Sequence, residues 1–136
     1  MSKTAKIRGF VRFYDLNQVF EIVQLPESMA VNFLTLIERK EPGLNARSVA
    51  TMTAMMLSLH QDNLKVWIAN HGERPLNLES GETIKEVVLR HMNTGVFTEK
   101  EAMEMAFQKA AWFRLMKFYE DYREWKESRN IPEKIG

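Results

Sequence analysis

Residue types that carry catalysis or bind metals are few in this chain and widely spaced. No two of its histidines, His60, His71 and His91, stand three or four residues apart, so the zinc-binding spacing of one helical turn is absent. There is no cysteine, which excludes disulfide bonds, thiolate metal sites and a cysteine nucleophile. The six glycines form no phosphate-binding loop, and no serine lies in a Gly-x-Ser-x-Gly turn. These patterns predict a protein that is not an enzyme and that uses no metal or cofactor.

Three methionines, Met52, Met55 and Met56, stand close together in a segment otherwise rich in Ala, Thr and Ser. Methionine is unbranched and polarizable, so it fills irregular gaps in a core and also suits an adaptable binding surface. The spacing fits either interpretation. In the second, the three side chains are contact groups for an apolar partner.

Aromatic side chains crowd the C-terminal third of the chain and go most of the way around the helix predicted there. One small domain can cover only part of such a helix, so we expect some of this surface to contact another protein or the same helix of a second subunit. The predicted contact residues of this segment are Trp112, Phe118, Tyr119, Tyr122 and Trp125.

The same segment interleaves basic residues with the aromatic ones, and this pattern predicts an alternative partner. Aromatic platforms beside cations hold single-stranded nucleic acids by base stacking and phosphate attraction. Four carboxylates between Glu120 and Glu127 cancel much of that charge, so we regard nucleic acid as the alternative to protein. The residues that would contact it are Lys109, Arg114, Lys117 and Arg123.

The overall composition is that of one soluble globular domain over residues 1–136, with 45% apolar and 27% charged residues. Lys and Arg number 19 against 18 Asp and Glu, and this balance removes the strongest reason to expect non-specific binding to nucleic acid or a membrane surface. No window has the roughly 18 apolar residues that a membrane span needs. Without a secretory signal pattern at the N-terminus, we expect a cytoplasmic protein.

The N-terminal region predicts a β-hairpin over residues 6–25. Ile7, Val11 and Phe13 would share one face of an extended strand, and the run Val19–Leu25 is again rich in β-branched and aromatic residues. Asp15–Gln18 between them has the residue types of a tight turn.

Residues 26–129 predict a helical body of about four helices, which makes the expected fold α+β and mainly helical. Start signals are Pro26, Asn45, Ser80 and the capping-box pattern of Thr98 with Glu101. The four predicted helices span about 26–40, 45–60, 80–95 and 98–129, and residues 130–136 follow as a tail because Ile131-Pro132 should end the last one. The pattern leaves open whether residues 61–70 continue the second helix.

The order of elements resembles that of the tail assembly chaperones of long-tailed phages. The similar segments are Gly9-Phe-Val-Arg-Phe-Tyr-Asp-Leu-Asn-Gln-Val-Phe-Glu-Ile-Val-Gln-Leu-Pro-Glu-Ser28, the methionine-containing Val49–Leu59 and Glu82–His91. The resemblance implies a non-enzymatic helper in the host cytoplasm that coats the apolar helix of the tape-measure protein, recruits tail-tube subunits and self-associates. Two other functions remain open, a phage or bacterial nucleic-acid-binding or transcription-modulating protein and a small inhibitor of a host defence protein.

Overall fold

The computed structural model describes residues 3–79 and 81–135, and within them the chain forms seven α-helices and no β-strand. Within the described residues, β-type pairing is limited to an isolated antiparallel bridge between Pro75 and Thr83. The helices are α1 Lys3–Phe13, α2 Leu16–Val19, α3 Glu27–Glu38, α4 Ala46–Leu59, α5 Leu64–His71, α6 Ile84–Asn93 and α7 Glu99–Ile135.

The prediction of an N-terminal β-hairpin over residues 6–25 is wrong. In the described part of the chain the fold is all-helical and not α+β. The first predicted strand lies in α1, and the predicted turn begins α2, which Asp15 caps by accepting a hydrogen bond from the Asn17 N–H at 3.0 Å. The second predicted strand is irregular after Val19.

Periodicity in a run as short as residues 7–14 cannot separate a strand from a helix, and burial decides between them. Ile7, Phe10 and Val11 are buried at helical spacing. Phe13, which the strand would have placed beside Ile7 and Val11, is instead 70% exposed.

The four predicted helices of the body correspond to α3, α4, α6 and α7, and two of the predicted caps form. Asn45 accepts from the Ser48 N–H at 2.9 Å at the start of α4. The Thr98 hydroxyl accepts from the Glu101 N–H at 3.2 Å, and the Glu101 carboxylate accepts from the Thr98 N–H at 3.0 Å. The predicted cap Ser80 lies outside the described residues, and Thr83 caps α6.

The segment after α4 forms a separate helix. Asn63 caps α5 by accepting from the Val66 N–H at 3.1 Å, and Gly72 follows the last helical residue, His71. Residues 60–63 thus interrupt the helical main chain between α4 and α5, and the two do not form one long helix.

The last helix is longer than predicted, because α7 continues to Ile135 instead of ending at about Arg129. A proline disfavours helical geometry in its predecessor without forbidding it, so Pro132 does not end the helix. No helix among residues 3–79 and 81–135 is long and apolar enough to cross a membrane.

The hydrophobic core surrounds α7, which presents two kinds of surface. Its first half buries Ala102, Ala106 and Ala110, whose small side chains allow α4 and α6 to pack closely. Its second half buries Phe118 and Tyr122, and α1 packs against these two rings. The Phe10 ring centroid of α1 lies 5.5 Å from that of Phe118 and 5.2 Å from that of Tyr122.

The helical N-terminus predicts a large effect on stability for one phenylalanine of α1 and a small effect for another. Phe10→Ala removes a fully buried ring and should lower the free energy of unfolding by about 3–5 kcal/mol. Phe13→Ala, three residues away and exposed, should change it by less than about 0.5 kcal/mol. Urea denaturation followed by circular dichroism measures both. Equal losses for the two variants would contradict the helical register of α1.

Candidate functional site

The helix α4 packs one face against α7 and turns the other to solvent. Val49, Ala50 and Ala54 lie on the buried face, and Thr53 joins them because its hydroxyl donates to the Val49 carbonyl oxygen at 2.8 Å. This anchoring fixes which side chains α4 presents outside.

The outer side of α4 carries an exposed apolar stripe, which we call the methionine face: Met52, Met55, Met56 and Leu59. Their exposed fractions are 43%, 51%, 46% and 84%. No Lys, Arg, Asp or Glu occurs between Ser48 and Gln61, so no charged side chain of α4 interrupts the stripe. The outer side of a surface helix is normally charged or polar, and a contiguous exposed apolar patch marks an interaction site.

A shallow groove borders the methionine face where α4 runs antiparallel to α7. Its volume is about 170 Å³, with Thr51 and Ala54 from α4 and Met105, Gln108, Lys109 and Trp112 from α7 lining it. Gln108 Nε2 donates to Ser58 Oγ at 3.1 Å, which ties the two walls together. At the other end the Arg47 guanidinium lies 5.7 Å from the Trp112 ring centroid. Helix α4 and the first half of α7 therefore form one continuous surface.

The predicted aromatic contact residues do not form one exposed surface. Phe118 and Tyr122 are buried in the core, which corrects their assignment as partner contacts. Trp112, Tyr119 and Trp125 are partly buried, and of the three only Trp112 borders the groove. Because α2, α4, α5 and α6 contact α7 and the Phe10 ring of α1 packs on Phe118 and Tyr122, the structure covers much more of the circumference of α7 than the sequence suggested.

Trp125 belongs to the aromatic end of the core. Its ring centroid lies 5.3 Å from that of Phe10, and the Arg129 guanidinium lies 4.1 Å from its ring centroid. Tyr119 lies nearer the surface, with the Arg123 guanidinium 5.9 Å from its ring centroid.

The basic residues predicted for nucleic-acid binding are dispersed, and Arg114 is buried. Its guanidinium Nη1 donates to the carbonyl oxygens of Leu76 at 2.8 Å and Ala110 at 3.1 Å, so it holds the segment before α6 against α7. Burial, with a smaller effect of Arg74, lowers the pKa of Arg114 to about 10. A guanidinium in this position is not accessible to a phosphate.

The three remaining basic residues are each close to another side chain. Lys117 pairs with Asp121 at 3.0 Å and Arg123 with Glu127 at 4.0 Å. Lys109 Nζ lies 3.1 Å from His91 Nε2, and burial, followed by the charges of Lys109 and Arg90, lowers the pKa of that histidine. These positions do not combine into a cationic stripe along α7.

Two histidines line a cleft of about 420 Å³ together with Glu21. The Glu21 carboxylate pairs with Arg74, however, and across residues 3–79 and 81–135 neither His60 nor His71 makes a hydrogen bond to a carboxylate. Nor is any group of three or more His, Asp or Glu side chains in the described chain placed to hold a metal ion. Within the described residues, this cleft therefore holds no hydrogen-bonded histidine–carboxylate pair.

The sequence analysis named the three methionines, Trp112 and Lys109 but not Leu59, Met105 or Gln108. Leu59 continues the helical spacing of the methionines, and the lack of charge from Ser48 to Gln61 was a readable signal for an outward apolar face. The contributions of Met105 and Gln108 depend on the antiparallel packing of α4 on α7, which no local pattern contains.

Comparisons of this chain with protein-family models, with curated proteins and with solved structures give no match. The function is therefore inferred from the geometry of the described residues.

Two tyrosines of the aromatic cluster, Tyr14 and Tyr122, predict how the free energy of unfolding depends on pH. Burial raises the pKa of Tyr14 above its ordinary value of 10.0, helped by the hydrogen bond that its hydroxyl donates to Asp121 at 2.7 Å. Burial, followed by the charge of Glu38, raises the pKa of Tyr122 in the same direction. The folded state then keeps protons that the unfolded chain releases, so this stabilisation is complete below pH 10 and is lost as pH rises further.

We expect the free energy of unfolding of Tyr14→Phe to fall less steeply above pH 10 than that of the wild type. Arg114 acts in the opposite direction in this range because its folded-state pKa of about 10 lies below its ordinary value of 12.5. That contribution is common to both proteins and cancels in the comparison. Urea titrations at a series of alkaline pH values measure the two slopes, and identical slopes would contradict the elevated pKa of Tyr14.

Proposed function

We propose that this protein is a non-enzymatic binding module that holds the apolar face of an amphipathic helix from another polypeptide. The observation that carries the proposal is the methionine face, an exposed and uncharged apolar stripe on a helix whose opposite side is firmly packed. The hydrophobic effect favours covering such a stripe, with about 0.8 kcal/mol for each buried methylene group.

The chemistry of the surface suits a helix better than a flat partner. Met52, Met55, Met56 and Leu59 follow helical spacing, and an amphipathic helix presents its own apolar groups at the same intervals. The neighbouring groove has small residues, Thr51 and Ala54, on one side and Trp112 at one end. Flexible methionines can adjust to partners that differ in side-chain shape.

A charge at the edge of the surface favours one orientation of the partner. Arg47 lies near Trp112, at the end of the groove closest to the start of α4. Acidic residues of the partner helix would pair with it there. Such exposed pairs contribute little affinity but select among orientations.

The apolar helix of a tape-measure protein is a partner of this chemistry, and we retain a role as a phage tail assembly chaperone as a specific form of the proposal. Its support is the methionine segment 49–59, which forms the exposed face. The segment from Gly9 to Ser28 gives no support as a hairpin, since α1, α2 and the start of α3 occupy it. We place the activity in the cytoplasm, that of the host if the gene is carried by a phage.

The two other functions weighed from the sequence have less support. Dispersed and buried basic residues argue against recognition of nucleic acid by α7. An inhibitor of a defence protein could use the same methionine face, and no contact in the structure favours that target.

A designed peptide tests the capture of a helix. The probe is a peptide of about 18 residues, about 27 Å long when helical, with leucines on one face and glutamates on the other. We expect the methyl NMR signals of Met52, Met55 and Met56 to shift on titration, because their side chains would be covered. A peptide of the same composition with the leucines scrambled should leave them in place.

Matched substitutions locate the binding surface. Replacing Met55 and Met56 together by Gln should weaken binding by about tenfold or more, since their apolar contacts are lost. Leu89→Gln on α6 is the control, because Leu89 is 47% exposed and lies on a different helix. Equal affinity for both peptides, or equal loss in both variants, would refute the proposed function.

A further inference from the structure

We infer that the outer face of α1 binds single-stranded nucleic acid, with Lys6, Arg8 and Arg12 contacting phosphates and Phe13 stacking on a base. This surface is separate from the methionine face of α4 and shares no residue with the basic positions of α7. The inference is therefore independent of the proposed function and adds a second binding site.

The charges of this chain are unevenly distributed along its sequence. Residues 1–14 contain four Lys or Arg and no Asp or Glu, whereas the remaining residues contain 15 Lys or Arg and 18 Asp or Glu. The near-zero net charge therefore hides a basic segment attached to a slightly acidic body. A polyanion is attracted by the first and repelled by the second, which directs it to α1.

The helical form of α1 separates its apolar residues from its basic ones. The apolar side chains buried in the core are Ile7, Phe10 and Val11. The basic side chains exposed on the other side are Lys6, Arg8 and Arg12. Arg8 and Arg12 are four residues apart, so they lie about 6 Å from each other along the helix axis. One face of one helix thus presents three cations.

These cations are available to a ligand. Within residues 3–79 and 81–135, the side chains of Lys6 and Arg8 form neither an ion pair nor a hydrogen bond. Arg12 Nε lies 3.8 Å from Glu27 Oε1, but both side chains are more than half exposed, so water and salt screen this pair. A phosphate can approach all three without displacing a buried partner.

Two further residues of this face are not those that folding alone would favour. Phe13 exposes 70% of its surface. Gly9 lies one turn before it, although glycine weakens a helix interior relative to alanine and a Cβ added there would meet no atom within 4 Å. An exposed ring can stack on a base, and a bare glycine allows the sugar–phosphate backbone to approach the helix closely.

The chemistry of the face favours nucleic acid over other polyanions. A helix that lies on a membrane surface inserts its apolar face, and that face of α1 is buried in the core. An acidic protein segment would pair with the cations but has no planar group to cover Phe13. Stacking on the ring needs a base that is not paired in a duplex, which selects a single strand. From Lys6 to Phe13 the face is about 10 Å long, which matches about three nucleotides.

Fluorescence anisotropy of a labelled oligothymidylate of about 12 nucleotides tests binding to the full chain. With three phosphate contacts, the logarithm of the affinity should fall against the logarithm of the salt concentration with a slope of about −2. Replacing Lys6 and Arg8 together by Gln should reduce the slope to about −0.7, because one contact remains. Lys100→Gln with Arg90→Gln is the matched control, since it removes the same charge from exposed positions of α7 and α6 and should leave the slope unchanged.

The stacking contact has its own test. Phe13→Ala should weaken binding by at least about fivefold while the stability stays that of the wild type, as expected above for an exposed ring. Phe13→Tyr keeps the ring and should bind as the wild type does. A DNA duplex of the same length should bind more weakly than the single strand, because its bases are paired.

Several results would overturn the inference: no binding of the oligonucleotide, equal losses in the Lys6 and Arg8 variant and its control, or full binding by Phe13→Ala. Vesicles of anionic phospholipid or polyglutamate that bind α1 as tightly as the oligonucleotide would also overturn it, since the face would then recognise negative charge alone. The variant with Met55 and Met56 replaced by Gln should bind the oligonucleotide normally, which keeps this test separate from that of the proposed function.

Discussion

The burial of α7 by the other helices is the interaction on which the rest of this structure depends. Alanines in its first half bring α4 and α6 close to its axis, and aromatic rings in its second half bind α1. Because α7 supplies a partner surface for α2, α4, α5 and α6, the way each of these helices meets α7 sets which of its faces points outward. The outward faces, including any binding surface, are a consequence of that packing.

Buried polar groups tie the connecting segments to this arrangement. The guanidinium of Arg114 donates to the Leu76 carbonyl oxygen, and the indole of Trp67 donates to the Ile22 carbonyl oxygen at 2.7 Å. A buried carbonyl oxygen without a donor would cost about 1–3 kcal/mol, so each of these long side chains fixes a loop that has little regular structure of its own. The sequence pattern groups Arg114 with accessible basic residues, but in the fold it is buried and donates to backbone carbonyl oxygens.

Local signals predicted most helices of this protein, and long-range packing decided what they did not predict. The caps at Asn45 and Thr98 depend on residues three positions apart, so the sequence contains them entirely. The strand assigned to residues 6–14 failed because two periodicities fit so short a run, and the choice depends on contact with Phe118 more than 100 residues away. The same limit misplaced Phe118 and Tyr122, since covering them needs α1 as a helix.

The two helices that lie against the alanine half of α7 show why the methionine face is not an ordinary surface. Helix α6 buries Ile84, Val87 and Val88 and turns Lys85, Glu86 and Arg90 to solvent, as an amphipathic surface helix does. Helix α4 buries a comparable stripe and presents Met52, Met55, Met56 and Leu59 in the corresponding position. Packing on α7 accounts for the buried faces of both helices. It does not account for the exposed apolar side chains on the outer face of α4. The excess apolar surface that the sequence suggests for α7 is therefore found on α4, where a second polypeptide can reach it.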